Sequence, residues 1–378
     1  MVGLLAASCG IIVANIYYTQ PLVGLIGPAV GLSAHAASLI VSLTQLGYAA
    51  GLLFLVPLGD IVENRKLMVL TVAASIPALL LTGLARDGTV LLVAAALTGL
   101  TSVAVQMLIP LAAHLTPEAR RGQVVGTVTS GLLLGILLSR PVASMIADLY
   151  SWRMVFFLSA ALMTAMTVLL RFTLPQRRPI AGHHYGTLLR SLLTLPLKFP
   201  VLRQRAAYQA AAFGTFSLFW TGVPLYLSQH FGYTQRGIAV FALVGAAGAL
   251  IAPVAGRLAD KGHSNIGTVG ALLSITASFG LAWLGAMIHS VVLLALAGVA
   301  LDAGVQCNLV IGQRAIYMLH ADLRSRLNGV FMAIFFAGGA AASAVTSSLL
   351  IHGGWGGLCA VGATLPVLAL AYFVTAKG

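Results

Sequence analysis

Polar and apolar positions in this chain fall into long blocks, with no short alternating period. Apolar stretches of about 20 residues recur, the length an α-helix needs to cross a bilayer. Broken at charges, glycines and prolines, the pattern predicts twelve spans, near 2–27, 36–58, 67–85, 89–114, 123–147, 153–174, 206–229, 237–258, 265–286, 289–318, 327–350 and 355–375. The seams between them are short polar pieces such as "GDIVENRK", "TPEARRG", "DLYSWR" and "HADLRSR". Only 175–205 is long enough to be a linker. It holds four prolines, a His183–His184 pair and six cations, and reads as an exposed, partly helical connector.

Composition fixes the solvent. Hydrophobic residues make up 59% of the chain and charged residues 8%, with a mean hydropathy of +0.99. A soluble domain carries roughly 25% charged residues, so a water-facing surface for 378 residues cannot be built here. The chain reads as an integral membrane protein surrounded by a lipid bilayer. Cys9, Cys307 and Cys359 sit in apolar runs at unrelated spacings, which excludes a disulfide framework and shows no metal-ligand pattern. The first run lacks a basic leader and a small-residue cleavage site, so it reads as a retained span. It starts abruptly, and a short preceding tail is expected.

Charge then gives an orientation. With both termini inside, the inner segments collect 16 of the 21 lysines and arginines and the outer loops three, Arg86, Arg153 and Arg236. That asymmetry is the positive-inside signature. The net charge of +13 is thus a topology signal. No aromatic-interleaved basic face appears, so no nucleic acid partner is expected. The expected division is 1–174, an N-terminal six-helix bundle; 175–205, a cytoplasmic linker; and 206–378, a second six-helix bundle. The halves repeat each other: Gly126, Gly135 and Trp152 recur as Gly329, Gly338 and Trp355 at a constant offset of 203, which also relates Arg121 to Arg324. Two six-span repeats around a midplane site describe a transporter that alternates between two openings.

The residues resemble the major facilitator superfamily over essentially the whole chain. "PLGDIVENRK" after span 2 is similar to the family's first-loop signature, with a twin in "GRLADKG" after span 8. "PLAAHLTPEARRG" ends span 4 and "SWRMVFF" opens span 6 in the family manner. "NIYYTQPL" in span 1 and "LDAGVQCN" in span 10 resemble a bacterial branch grouped with drug and sugar efflux proteins. Val56, Glu63 and Asn64 depart from the first-loop pattern, and Arg140 precedes Pro141 where the antiporter branch has a glycine-proline pair. The resemblance implies an all-α membrane protein of twelve transmembrane helices in two pseudo-symmetric bundles, monomeric, in the bacterial inner membrane. It also implies proton-coupled export of a small organic substrate, with uptake by proton symport as the alternative.

One acid stands apart. Seven of the eight lie in seams or at span ends, whereas Asp302 lies roughly 13 residues, or ~20 Å, from the outer end of span 10. A carboxylate there costs several kcal/mol unless paired, wetted or protonated. Two readings compete: a carrier that loads and unloads protons, or a fixed anion paired with Arg140. Arg140 lies about six residues from it in depth, or ~9 Å, and could hold an anionic substrate, gate the halves or snorkel outward. Gln306 and Gln313 continue the face of Asp302.

In the superfamily spans 1, 4, 7 and 10 line the cavity, so the resemblance points to further lining. Span 1 offers Asn15, Tyr17, Tyr18 and Gln20; span 4 offers Thr98, Ser102 and Gln106; span 7 offers Phe213, Phe216 and Trp220. The alternative for each is ordinary helix packing. Asp60 and Asp260 read as inner gate residues: family geometry would put Asp60 by Arg324 and Asn328, and Asp260 near span 5. Arg65, Arg120 and Arg121 complete the expected gate. No nucleotide-binding loop appears, so ATP is not expected to power the protein, and no cofactor or metal is expected. An enzyme would need a nucleophile with its base, or clustered ligands, and one deep acid supplies neither. A receptor or structural role would leave the repeats and polar stripes without purpose.

Overall fold

A computed structural model describes residues 1–117, 120–177, 185–320 and 323–376, apart from the side chains of Arg121, Ala246, Ala249 and Leu250. His183 and His184 lie outside the described residues. All regular structure among the described residues is helical. Nine of these helices are long and apolar enough to cross a membrane. Spans 2 to 7 are Leu39–Phe54, Asn64–Leu84, Gly88–Thr101 continuing as Val105–His114, Arg121–Leu149, Trp152–Thr173 and Pro200–Phe231. Spans 9 and 10 are Ser264–Met287 and Val291–Tyr317.

The other crossings are two interrupted spans and one fused pair. Span 1 is Val2–Ala14 and Val23–Ala29 joined through a 3-10 turn at Gln20–Leu22. Span 8 is Gln235–Gly245 and Ala252–Asp260 joined by a 3-10 stretch at Ala246–Ile251. Spans 11 and 12 form one helical run, Arg324–Thr375, broken at Gly354 with φ 56 and ψ −162. That conformation is open to glycine and closed to residues with a Cβ. Several seam residues are helix caps. Glu63 accepts from the Arg65 backbone N–H, Asp87 from Val90, and Ser151 from Met154, each filling a donor that a helix start leaves bare.

Of the repeated glycines, Gly135 and Gly338 sit where helices touch. A Cβ on Gly135 of span 5 would fall against the backbone of Gly10 in span 1, and one on Gly338 of span 11 against Ala210 in span 7. Small residues let the backbones approach, which is how helices associate where lipid removes the hydrophobic drive. Gly135→Val should therefore destabilise the fold by about 1–3 kcal/mol or more. Gly126, with nothing within 4 Å of its would-be Cβ, is the control. Equal melting temperatures for Gly135→Val and Gly126→Val in detergent would disprove this contact's importance.

Between spans 6 and 7 runs the helix Tyr185–Lys198. Leu188, Leu192 and Leu195 are buried, while Leu193 and Leu197 face outward. It packs on spans 2 and 7 and on the span 11–12 helix, and the Tyr185 hydroxyl donates to the Phe54 carbonyl at 2.8 Å.

Candidate functional site

Span 10 carries Asp302 eleven residues past its start, and span 5 carries Arg140 nine residues short of its end. At 1.5 Å per residue these depths are roughly 17 and 14 Å from one end of the bundle. The ~9 Å offset expected from the sequence shrinks to ~3 Å, because span 5 runs on to Leu149 and span 10 begins only at Val291. Both side chains are buried, Asp302 at 5% exposure and Arg140 at 2%.

Their contact is loose. Arg140 Nη2 stands 3.9 Å from Asp302 Oδ2, whereas Trp220 Nε1 donates to Asp302 Oδ1 at 2.8 Å. The Arg140 guanidinium lies 4.0 Å from the Trp220 ring centre and 5.0 Å from that of Phe216. Cation–π contacts of this kind are worth up to about 2 kcal/mol when desolvated, so the charge is cushioned by rings as well as by the carboxylate. Tyr17 meets Phe216 edge-on at 6.5 Å, and its hydroxyl is within electrostatic reach of both charges. Phe213 stacks on Phe216 at 5.1 Å and on Phe335 at 4.0 Å. Span 8 approaches through Gly248, where a Cβ would lie 2.7 Å from that of Asp302. In the order of residues this approach is marked only by Gly245 and Gly248 in an apolar run.

The remaining candidates separate by depth and direction. Gln20 is fully buried, and neither its amide nitrogen nor its oxygen has a partner among the described residues; the same holds for Thr98 Oγ1. Ser102 bonds back to the Thr98 carbonyl at 2.6 Å. Asn15 is taken up by span 6, accepting from Ser159 at 2.5 Å and donating to Met163 Sδ. Tyr18 lines an apolar groove between spans 1, 5 and 6. Gln106 donates to the Tyr48 hydroxyl at 3.1 Å. Gln306 is half-buried, and Gln313 donates to Asn328 Oδ1 at 3.4 Å, tying span 10 to span 11.

The end carrying the seams after spans 2, 4, 8 and 10, here the basic end, holds two cavities of about 430 and 480 Å³. Gln106 and Ser325 line both, Asp60 and Arg326 the first, and Arg324 and Asn328 the second. The cation beside Asp60 is Arg326, at 3.6 Å, and not Arg324, whose Nε donates to the Tyr317 carbonyl at 2.9 Å. Two residues apart on a helix is about 200° of rotation, so only one of the two can face span 2. Asp260 pairs with Arg314 of span 10, at 3.1 Å, and among the described side chains no ion pair joins it to span 5. Arg314 also donates to the Ala259 carbonyl. Its carboxylate partner is 72% exposed, so this pair contributes at most about 1 kcal/mol. Arg65 reaches the Leu174 carbonyl at 3.4 Å and Arg120 is exposed; Arg121 starts span 5, its side chain outside the described residues.

The opposite end is sealed by contacts between spans 2 and 11. The Ser38 backbone N–H donates to Ser347 Oγ at 3.2 Å and the Ser347 N–H to Ser38 Oγ at 3.3 Å. Ser42 donates to the Ala340 carbonyl at 2.7 Å, and Gln45 donates to Ser217 of span 7 at 2.8 Å. Gln45, an isolated amide in "LIVSLTQLGY", was the readable signal for this seal.

Residues 5–344 match the family described as "Major Facilitator Superfamily". The "Uncharacterized transporter YgaY" of Escherichia coli O157:H7 is 42% identical over 372 residues, 98% of this chain and 94% of that protein. The "Probable transporter SCO4007" of Streptomyces coelicolor (strain ATCC BAA-471 / A3(2) / M145) is 33% identical over 97% of this chain and 85% of its own length. Among solved structures, a POT family transporter in complex with 5-aminolevulinic acid superposes with a TM-score of 0.78 at 16% identity, covering 99% of this chain and 95% of that one. At that identity the likeness concerns the fold.

Proposed function

This chain belongs to the Major Facilitator Superfamily, and from that premise we propose that it carries a small organic solute across the bacterial inner membrane by alternating access, with a proton moving through Asp302. The observation that supports this is one buried carboxylate held where spans 5, 7 and 10 meet, between a cavity-bearing end and a sealed end. In this reading 1–174 and 206–378 are the rocking bundles, 175–205 is the cytoplasmic linker, the basic end and both termini face the cytoplasm, and the protein works as a monomer. Asp60, with Arg326 as its cation, is the gate contact made and broken at the basic end. Export in exchange for protons is the direction the sequence resemblance supports. Uptake together with protons is the second reading, favoured by donors of Arg140 that Asp302 leaves unfilled.

The test uses proteoliposomes loaded with a pH-sensitive dye and challenged in turn with small organic acids, amines and sugars. At least one solute should move protons. Ser38→Cys/Ser347→Cys, oxidised to lock the sealed end, should stop that movement, and reductant should restore it. Proton movement indifferent to the cross-link, or none with any solute, would count against the proposal.

A further inference from the structure

Buried polar side-chain atoms without partners number nine among the described residues, and six of them lie on span 5 or on the interruption of span 1 that packs against it. Arg140 Nε and Nη1 and Ser144 Oγ lie one turn apart on span 5; Thr19 Oγ1 and both amide atoms of Gln20 lie in the interruption of span 1. That interruption packs on spans 5 and 7, the two helices that carry Arg140 and Trp220. Every one of these side chains is at least nine-tenths buried. A buried donor left unmade costs about 1–3 kcal/mol, and more on a charged group. Two free donors on the guanidinium, with four further unpartnered atoms on the segments packed there, describe a surface shaped for an anion with oxygen acceptors.

The charges say what must come with it. Facing Asp302 are Arg140 from span 5 and Tyr17 from span 1; span 7 contributes the Trp220 N–H, and span 8 contributes Gly248. One cation and one anion make the buried set neutral. A cationic solute would put two cations against one carboxylate that, paired with Arg140, holds no proton to give up in exchange. An anionic solute would put two anions against one guanidinium, and two carboxylates at such range do not both stay ionised. The anion must therefore arrive with a proton.

We infer that the solute is a small organic carboxylate, held by the free donors of Arg140 with Gln20 and Ser144, and that it binds together with one proton taken by Asp302. Phe213, Phe216 and Trp220 would pack its apolar body. No bond is made or broken except the O–H on Asp302, whose proton comes from solvent and leaves with the anion. This takes up the second reading, movement of solute together with a proton, and rests on transport for its physiological sense, but its test is one of binding.

Purified full-length protein in detergent is exposed to benzoate, hexanoate and pyruvate, to the matching amides, and to benzylamine and hexylamine. Carboxylates should raise the melting temperature where amides and amines do not. In weakly buffered solution each bound carboxylate should take up about one proton, and Asp302→Asn should bind it with no uptake. Arg140→Lys, which keeps the charge but loses the planar donors, should weaken binding about tenfold or more. Amides or amines stabilising as well as carboxylates, no carboxylate stabilising at all, or binding without proton uptake by the wild type would each overturn the inference. Amine-driven flux without carboxylate binding would sink this inference and leave transport standing. Carboxylate binding with proton uptake by a protein that moves nothing would do the reverse.

Discussion

Asp302→Asn is expected to yield a folded, membrane-inserted protein that no longer accumulates solute when a pH difference is imposed. Asparagine keeps the size of the side chain and an oxygen to accept from Trp220, whose bond is the short one at 2.8 Å. It cannot take up or release a proton. Per coupled proton, one pH unit sustains about a tenfold solute ratio, since each tenfold corresponds to 1.4 kcal/mol; the variant should sustain none, while still exchanging solute for solute. The two activities are read in the same proteoliposomes with and without the gradient. Wild-type accumulation by a well-folded variant would remove Asp302 from the mechanism.

The second large effect concerns stability. Arg140→Gln strips the buried carboxylate of its cation and should cost about 3–5 kcal/mol, the usual penalty for orphaning one member of a buried pair. Asp302→Asn should cost less, because the guanidinium keeps its two aromatic rings at 4.0 and 5.0 Å. In Arg140→Gln/Asp302→Asn both charges are gone, and most of the loss should return. Unfolding by SDS in mixed micelles measures all three. If the double variant is no more stable than Arg140→Gln, the two charges are not coupled, and the 3.9 Å approach is mere proximity.

Much of this architecture was legible in the order of residues, because a bilayer imposes its thickness on every crossing. The interruptions were not. Span 1 reads as one run from 2 to 27, yet it turns through a 3-10 segment at Gln20–Leu22. Asp302 declared itself by depth alone, and Arg140 by its place before Pro141. Their true depths depended on helix ends that shift by two residues, enough to change a ~9 Å gap into ~3 Å. Hydroxyl and amide roles were the least readable. Thr44 and Ser102 satisfy themselves on their own helix, on the carbonyls of Ile40 and Thr98, whereas Ser42 and Gln45 reach across to other spans. Nothing in a one-dimensional pattern separates these outcomes, since both satisfy the same atoms. The same ambiguity hid Arg326 behind Arg324, two cations of one seam on different faces of one helix.

The helix Tyr185–Lys198 has a mechanical consequence. Its 14 residues make a rod of ~21 Å. At one end it is latched to span 2 by the Tyr185 hydroxyl, and at the other it runs almost directly into span 7 at Pro200. A flexible tether would let the two sides separate freely; a strut does not. Any change in the spacing of spans 2 and 7 at this end must slide Leu188, Leu192 and Leu195 over their seats or release the latch. That latch is a single exposed hydrogen bond, worth only about 1 kcal/mol. If the basic end opens as proposed, such a strut would set the throw of the motion while adding little to its barrier, and shortening or stiffening it would alter how far that end opens without touching any residue that meets solute.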